Sequence, residues 1–234
     1  MEKEVLLRVD GISSGYSGLR VVENVSIEVN KGEVVLMLGS NGAGKTTFLK
    51  TVSGLLPKEL GSIFLDGKDL SNMSIRDRRR SGLTYMSDDT YFPTLTVKEN
   101  LQMSISGKGN LNDNLNEVYD VFPELREKSK LKAGSLSGGQ RKMLIIAMAM
   151  VSDPLLLILD EPSGGLSPLF VEKIIDSIAL LKKSGKSILL AEQNVEFLTL
   201  VDKVYVLDFG KVSFAGSPEQ AIKEDSIRKA YFNL

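Results

Sequence analysis

The chain has 234 residues, 42% of them hydrophobic and 25% charged, with a net charge of -1. These values fit one sizeable folded domain and exclude both long disorder and a global electrostatic attraction to nucleic acid. Cysteine and histidine are both absent, which removes disulfides, thiol catalysis and the usual general base, so a catalytic base is sought among the carboxylates.

The longest apolar run, Met143 to Val151, falls short of the roughly twenty residues a spanning helix needs. The start, MEKEVLLRVD, does not read as a secretory signal. A cytosolic protein that reaches membranes through partners is expected.

From Val5 to Val29 apolar and polar positions alternate around a turn-rich segment, Gly11 to Gly18, which predicts an antiparallel β subdomain. Tyr16 falls in that turn, where an aromatic either stacks on a nucleobase or closes a small core. Val34 to Leu38 then reads as a buried strand and Phe48, Leu49 and Val52 as the inner face of a helix. Between them stands GSNGAGKTT, residues Gly39, Ser40, Asn41, Gly42, Ala43, Gly44, Lys45, Thr46 and Thr47. The spacing G-x-x-x-x-G-K-[ST] after a strand and before a helix is a phosphate-binding loop. Glycines let backbone N–H groups converge on a polyphosphate, and the helix N-terminus adds a favourable field. Lys45 is then placed to reach the β and γ phosphates, Thr46 to offer its hydroxyl to magnesium, and Thr47 to bond a phosphate nearer the ribose.

Gly61 to Asp69 predicts a hairpin turning at Asp66 and Gly67. The cluster Arg76, Arg78, Arg79 and Arg80 is short and interrupted by Asp77, so a solvated helix face is favoured over nucleic-acid contact. Leu83 to Met86 reads as a strand running into a polar loop, Ser87 to Thr90, and Thr96 with Glu99 forms a capping box. Ser104 to Asn116 turns to Gly, Ser, Asn and Lys and reads as a mobile linker between helical patterns at Val97 to Met103 and Asn114 to Lys130. Leu136, Ser137, Gly138, Gly139 and Gln140 precede a long helix from about Arg141 to Val151. Either Ser137 caps that helix, or the glycines form a second anion nest.

The strand Leu155 to Leu159 delivers Asp160 and Glu161 at its C-terminal end, where α/β sheets bind ligands. Asp160 suits a magnesium shell, and Glu161 can polarise an attacking water. Pro168 to Lys183 reads as an amphipathic helix, with Phe170, Ile174, Ile175, Ile178 and Leu181 on its apolar side. Ser187 to Ala191 is another short strand, ending at Glu192, Gln193 and Asn194. These either reach the nucleotide or turn the chain into a helix at Val195. Val204 to Phe214 predicts a hairpin turning at Phe209 and Gly210, and the chain from Pro218 is helical and polar.

Together the phosphate loop, LSGGQ and LLLILDEP resemble the ATP-binding subunits of ABC transporters over nearly the whole chain. The resemblance implies an α/β P-loop NTPase of the ABC ATPase fold, a RecA-like core with an N-terminal antiparallel β subdomain and an inserted α-helical subdomain. In one domain, 1–234, the β subdomain and phosphate-loop core take about 1–86, the helical insertion about 94–150 and the C-terminal core about 153–234. It implies ATP and Mg2+ as ligands, Tyr16 on the adenine, Lys45 and Thr46 on phosphate and magnesium, Asp160 as second carboxylate and Glu161 as catalytic base. It implies a head-to-tail dimer in which Ser137, Gly138, Gly139 and Gln140 of one subunit close on the nucleotide of the other. This would account for a second anion nest.

Three positions depart from the family's pattern. Asp88 stands where a Gln usually contacts magnesium, the attacking water and the membrane subunits; Gln193, within AEQN, stands for a His at the γ-phosphate; and Ser167 stands for an Asp. A Gln donates a hydrogen bond but cannot shuttle a proton, which puts more of the chemistry on Glu161. With YFPTLTVKENL, EPSGGLSP and the ending IRKAYFNL, these departures resemble the second ATP-binding subunit of branched-chain amino acid uptake systems. The implied partners are an identical or sister ATP-binding subunit, two membrane permease subunits and, indirectly, a solute-binding protein, on the cytoplasmic face of the membrane. Urea, amide or other solute importers share these features. A soluble ABC protein of translation or nucleic-acid maintenance is a further reading, although those usually carry two cassettes or coiled-coil insertions, and a regulatory module that binds ATP without turnover is another.

Overall fold

The computed structural model describes residues 4–105 and 111–231, with backbone alone for 111–114. In chain order the elements are β1 (Val5–Tyr16), β2 (Leu19–Asn30), β3 (Val34–Leu38), α1 (Lys45–Ser53), β4 (Leu60–Leu65), β5 (Lys68–Asp69), α2 (Ile75–Arg80) and β6 (Leu83–Met86). Then follow α3 (Val97–Ser104), α4 (Leu111–Val121), α5 (Pro123–Glu127), α6 (Gly138–Ser152), β7 (Leu156–Asp160) and α7 (Pro168–Lys183). The chain closes with β8 (Ser187–Glu192), β9 (Lys203–Asp208), β10 (Lys211–Gly216), α8 (Pro218–Lys223) and α9 (Asp225–Tyr231).

Two compact units emerge. The first holds the chain up to Tyr85, Leu155–Glu161 and the chain from Lys182. It contains a four-stranded sheet, β2-β1-β4-β5, and a six-stranded sheet, β10-β9-β3-β8-β7-β6. In the second sheet β3 pairs in parallel with both β8 and β9, β7 pairs in parallel with β8, and the hairpin partner β10 runs antiparallel to β9. Parallel strands buried on both faces read as continuous apolar runs, which is why all five residues of β3 are fully buried. One hydrophobic cluster joins Leu7, Val9 and Ile63 of the first sheet to Met37, Ile158 and Leu189 of the second through Phe48, Leu49 and Val52 of α1. At roughly 1.5–3 kcal/mol for each large side chain buried, α1 is fixed by its apolar face, and the phosphate loop is fixed with it.

Two expectations are corrected in this unit. Most of the segment from Gly11 to Gly18 is strand, and the hairpin turns only at Ser17 and Gly18, both at positive φ. Gly11 (φ 60) instead marks an irregularity in the β1–β2 register, so glycine there signals a bulge and not a turn. The arginine cluster is not uniformly solvated. Arg78 is 4% exposed, and its guanidinium donates to the carbonyls of Thr51, Val52, Ser71 and Met73 at 2.6–3.2 Å.

The second unit is Met86–Pro154 with Pro162–Leu181. Here α3, α4 and α5 pack on α6, the apolar helix whose Met143 to Ala149 stretch is buried throughout. Thr96 and Glu99 form the expected capping box on α3. Fully buried Asn100 exchanges hydrogen bonds with Phe92 and also donates to Leu95 O and Thr96 O. α7 buries Val171, Ile174, Ile178 and Leu181 on one stripe. Of the expected linker, α3 runs to Ser104 and α4 starts at Leu111, and residues 106–110 lie outside the described residues. No described helix is long and apolar enough to cross a membrane.

Candidate nucleotide site

The parallel pairing of β3, β7 and β8 sets the ends of these strands side by side. Leu38 pairs with Glu192 and Asp160 with Ala191, while Gly39 N–H donates to Glu192 O and Glu161 N–H to Ala191 O. Gly39, Glu161 and Gln193 therefore leave the sheet at one carboxyl edge, the position where open α/β sheets receive ligands.

Gly39 to Gly44 wrap from this edge into α1. Gly42 and Gly44 hold φ of 82° and 105°, a region open to glycine and closed to most side chains. Ala43 N–H donates to Ser40 O, and Ala43 O accepts from Gly210 N–H, so the β9–β10 turn braces the loop. Gly44 is the N-cap of α1 and supplies no side-chain cap. By contrast, α2, α3, α6 and α8 are capped by Ser74, Thr96, Ser137 and Ser217. The first N–H groups of a helix lack intrahelical acceptors, and at α1 no serine or threonine cap competes for them.

Lys45 is 3% exposed. Its Nζ donates to Gly39 O at 2.8 Å and Ser40 O at 3.0 Å and meets Glu161 Oε1 at 3.1 Å. Glu161 itself adopts φ 48, a left-handed conformation that a non-glycine residue keeps only under constraint from its surroundings. Thr46 Oγ1 donates to Asp160 Oδ1 at 3.0 Å, and Tyr85 OH donates to Asp160 Oδ2 at 2.7 Å. Burial pushes the Asp160 carboxyl above its ordinary range, while the Tyr85 and Thr46 hydroxyls pull it back down.

This donor set fits a magnesium nucleotide. Magnesium uses one or two protein oxygens and completes its octahedron on phosphate and water, and Thr46 with Asp160 offers such a pair. The described residues contain no cluster of three or more potential ligands among His, Cys, Asp and Glu.

The remaining expected residues are placed as follows. Thr47 is buried in the first turn of α1, and Ser40 and Asn41 are exposed. Tyr16 ends β1, paired across the turn with Leu19, and is 46% exposed. Gln193 is exposed, and its backbone N–H donates to the buried carboxylate of Glu192 at 3.2 Å. In the other unit α6 begins at Gly138, three residues ahead of the expected start, with Ser137 and Gln140 in a reciprocal capping box. Asp88, expected at the metal, is paired with Lys142 Nζ at 2.7 Å.

Sequence reasoning missed Tyr85 and Lys142, and although it placed a turn at Phe209 and Gly210 it did not read that turn as a brace for the phosphate loop. A tyrosine in a short strand and a lysine in an apolar helix carry no motif. Lys142 did give a signal, as a charge inside the otherwise apolar face of α6, and Tyr85 gave none.

A family model described as ABC transporter matches residues 22–164. The chain is 37% identical over 229 residues to the probable branched-chain amino acid transport ATP-binding protein LivF of Archaeoglobus fulgidus, covering 96% of this chain and 97% of the relative. It is 35% identical over 230 residues to the high-affinity branched-chain amino acid transport ATP-binding protein BraG of Pseudomonas aeruginosa, covering 97% and 99%. It is 33% identical over 232 residues to the lipopolysaccharide export system ATP-binding protein LptB of Escherichia coli, covering 96% of each. A solved ATP-binding cassette of an ABC transporter superposes with a TM-score of 0.86 at 25% identity, covering 99% of both chains.

Proposed function

Because the chain belongs to the ABC transporter family and is an ATPase of that family, we propose that it powers an importer of branched-chain amino acids. The observation that carries the ATPase half is the joining of Thr46 to Asp160 at 3.0 Å beside buried Lys45 and Glu161. The substrate half is supported by the likeness to LivF and BraG over nearly the whole chain.

In this reading the amides of residues 39–47 and the Lys45 ammonium hold the β and γ phosphates, and Tyr16 stacks on the adenine. Thr46 and Asp160 hold magnesium, which when bound neutralises charge on the terminal phosphates. Glu161 orients the attacking water and accepts its proton, and Gln193 donates a hydrogen bond to the γ-phosphate. Ser137, Gly138, Gly139 and Gln140 engage the nucleotide of a second ATP-binding subunit, identical or sister. Two membrane permeases dock this dimer on the cytoplasmic face of the membrane, and a solute-binding protein acts with them from the far side.

The test is ATP-driven dimerisation of Glu161→Gln, which keeps the site and removes the base. Sedimentation should show a dimer with ATP and a monomer without it; a monomer at saturating ATP overturns the identical pair, and a monomer that persists with the sister ATP-binding subunit added overturns the reading. The likeness to LptB favours a second reading, an exporter of an amphipathic lipid. Copurification of the permeases followed by uptake into vesicles decides between them: accumulation of leucine, isoleucine or valine supports import, and its absence with a panel of solutes favours export.

A further inference from the structure

The structure assigns Asp88 a different task from metal binding: we propose that it is a positioning residue, latched to Lys142, which ties the loop after β6 to the helix bearing Ser137–Gln140. This rests on the reading above that those four residues engage a partner subunit's nucleotide. Lys142 lies on α6 and is 6% exposed, and its ammonium meets Asp88 Oδ1 at 2.7 Å. A buried ammonium requires a counter-charge, and a charge-assisted contact of this length is among the stronger ones. The carboxylate itself is 67% exposed, so the latch is reachable from solvent and can be opened.

The loop that carries Asp88 is held by its own hydrogen bonds. Thr90 N–H and Thr90 Oγ1 both donate to Ser87 O, at 3.1 and 2.6 Å, and Ser87 N–H donates to Thr90 Oγ1 at 3.2 Å. A few residues on, Phe92 is clamped to buried Asn100 of α3 by bonds of 2.7 and 2.9 Å. The segment is thus fastened to α6 by an ion pair and to α3 by an amide. Lys142 is about one helical turn from Gly138, so a displacement of the Asp88 loop is passed to the start of α6 through one side chain. An aspartate serving magnesium would have to release that ammonium first.

The experiment compares Asp88→Asn, Lys142→Met and the double variant in the purified full chain. Turnover is measured against Mg2+ at saturating ATP, and amide exchange across Gly138–Arg141 without nucleotide. For a latch, each single change lowers kcat about tenfold, the double is no worse than either, and the Mg2+ concentration for half-maximal rate stays within about twofold. Asp88→Asn also speeds exchange at Gly138–Arg141. Additive losses overturn the proposal, as does an Mg2+ requirement raised about tenfold by Asp88→Asn and unmoved by Lys142→Met. A wild-type chain without turnover, alone and with a sister ATP-binding subunit, would sink the functional reading only. Exchange at Gly138–Arg141 unchanged in Asp88→Asn would then sink the latch.

Discussion

The Tyr85 hydroxyl donates to Asp160 Oδ2 at 2.7 Å, so a residue outside every motif holds the carboxylate paired with Thr46. Burial raises the Asp160 pKa and this bond opposes the rise. Tyr85→Phe is therefore expected to move the Asp160 titration further upward in the nucleotide-free chain, read by carboxyl-carbon NMR; an unchanged or lower midpoint contradicts it. The stability consequence follows in sign. As pH rises from the unfolded to the folded pKa, the unfolded chain loses this proton first, the folded chain binds more, and stability falls. Asp160→Asn should then raise the urea midpoint at neutral pH, and that gain should vanish below the carboxylate range, while magnesium-dependent turnover is lost.

Arg78 caps the helix that follows the phosphate loop. Thr51 O and Val52 O belong to the last turn of α1, where carbonyls lack the usual helical donors, and the guanidinium donates to them at 2.9 and 2.6 Å, Thr51 O also accepting from the Gly54 N–H at 3.1 Å. Burial lowers the Arg78 pKa, and a guanidinium stays charged in proteins. Arg78→Met keeps much of the volume and takes the guanidinium from Thr51 O, Val52 O, Ser71 O and Met73 O, of which Thr51 O keeps the Gly54 N–H, and should cost about 3 kcal/mol or more in urea denaturation. A loss under about 1 kcal/mol would mean that water replaces the guanidinium.

The contrast between Arg78 and Lys45 shows what was legible in the chain. Lys45 was readable because a loop, its strand and its helix are contiguous, so local spacing already specifies the chemistry. Arg78 stands in a run of arginines whose neighbours are exposed, and its burial depends on α1, more than twenty residues away, which no local pattern records. The carboxyl-edge alignment of Gly39, Glu161 and Gln193 was legible through the rule for parallel sheets. The Asp88–Lys142 pair was not, since it joins a loop to a helix across more than fifty residues and neither partner repeats with a period. The bulge at Gly11 was hidden for a third reason: glycine marks turns and bulges alike.

Two non-glycine residues hold left-handed backbone at functional turns, Glu161 at φ 48 and Phe209 at φ 42. Phe209 is 91% exposed, so packing returns little for that strain. Phe209→Asn should stabilise the chain by roughly 0.5–1 kcal/mol, since asparagine tolerates this region. Glu161→Gly and Glu161→Gln both lose turnover and the ion pair to Lys45, and the Gly variant should be the more stable of the two by a similar increment, since it alone relieves the strain. Equal urea midpoints for the Gly and Gln variants would show that the Glu161 turn is not strained.

Gly138 and Gly139 separate packing from partner contact. A Cβ at Gly139 would stand 2.6 Å from the Phe170 ring, so Gly139→Ala must displace an aromatic; a Cβ at Gly138 meets nothing within 4 Å. Gly138→Ala should fold normally and still bind ATP at its own phosphate loop. If that open face receives a partner's nucleotide, the variant should hydrolyse almost none. Mixing it with Lys45→Ala then gives the sharper result. Each variant alone lacks one half of both sites in a head-to-tail dimer, but a mixed dimer unites the intact loop of one chain with the intact Ser137–Gln140 turn of the other. Equal mixing makes half the dimers mixed, each with one complete site, so activity should return to about a quarter of wild type if the sites act independently. If the turn served its own chain's nucleotide instead, no mixture of the two could recover, because neither chain would own a complete site.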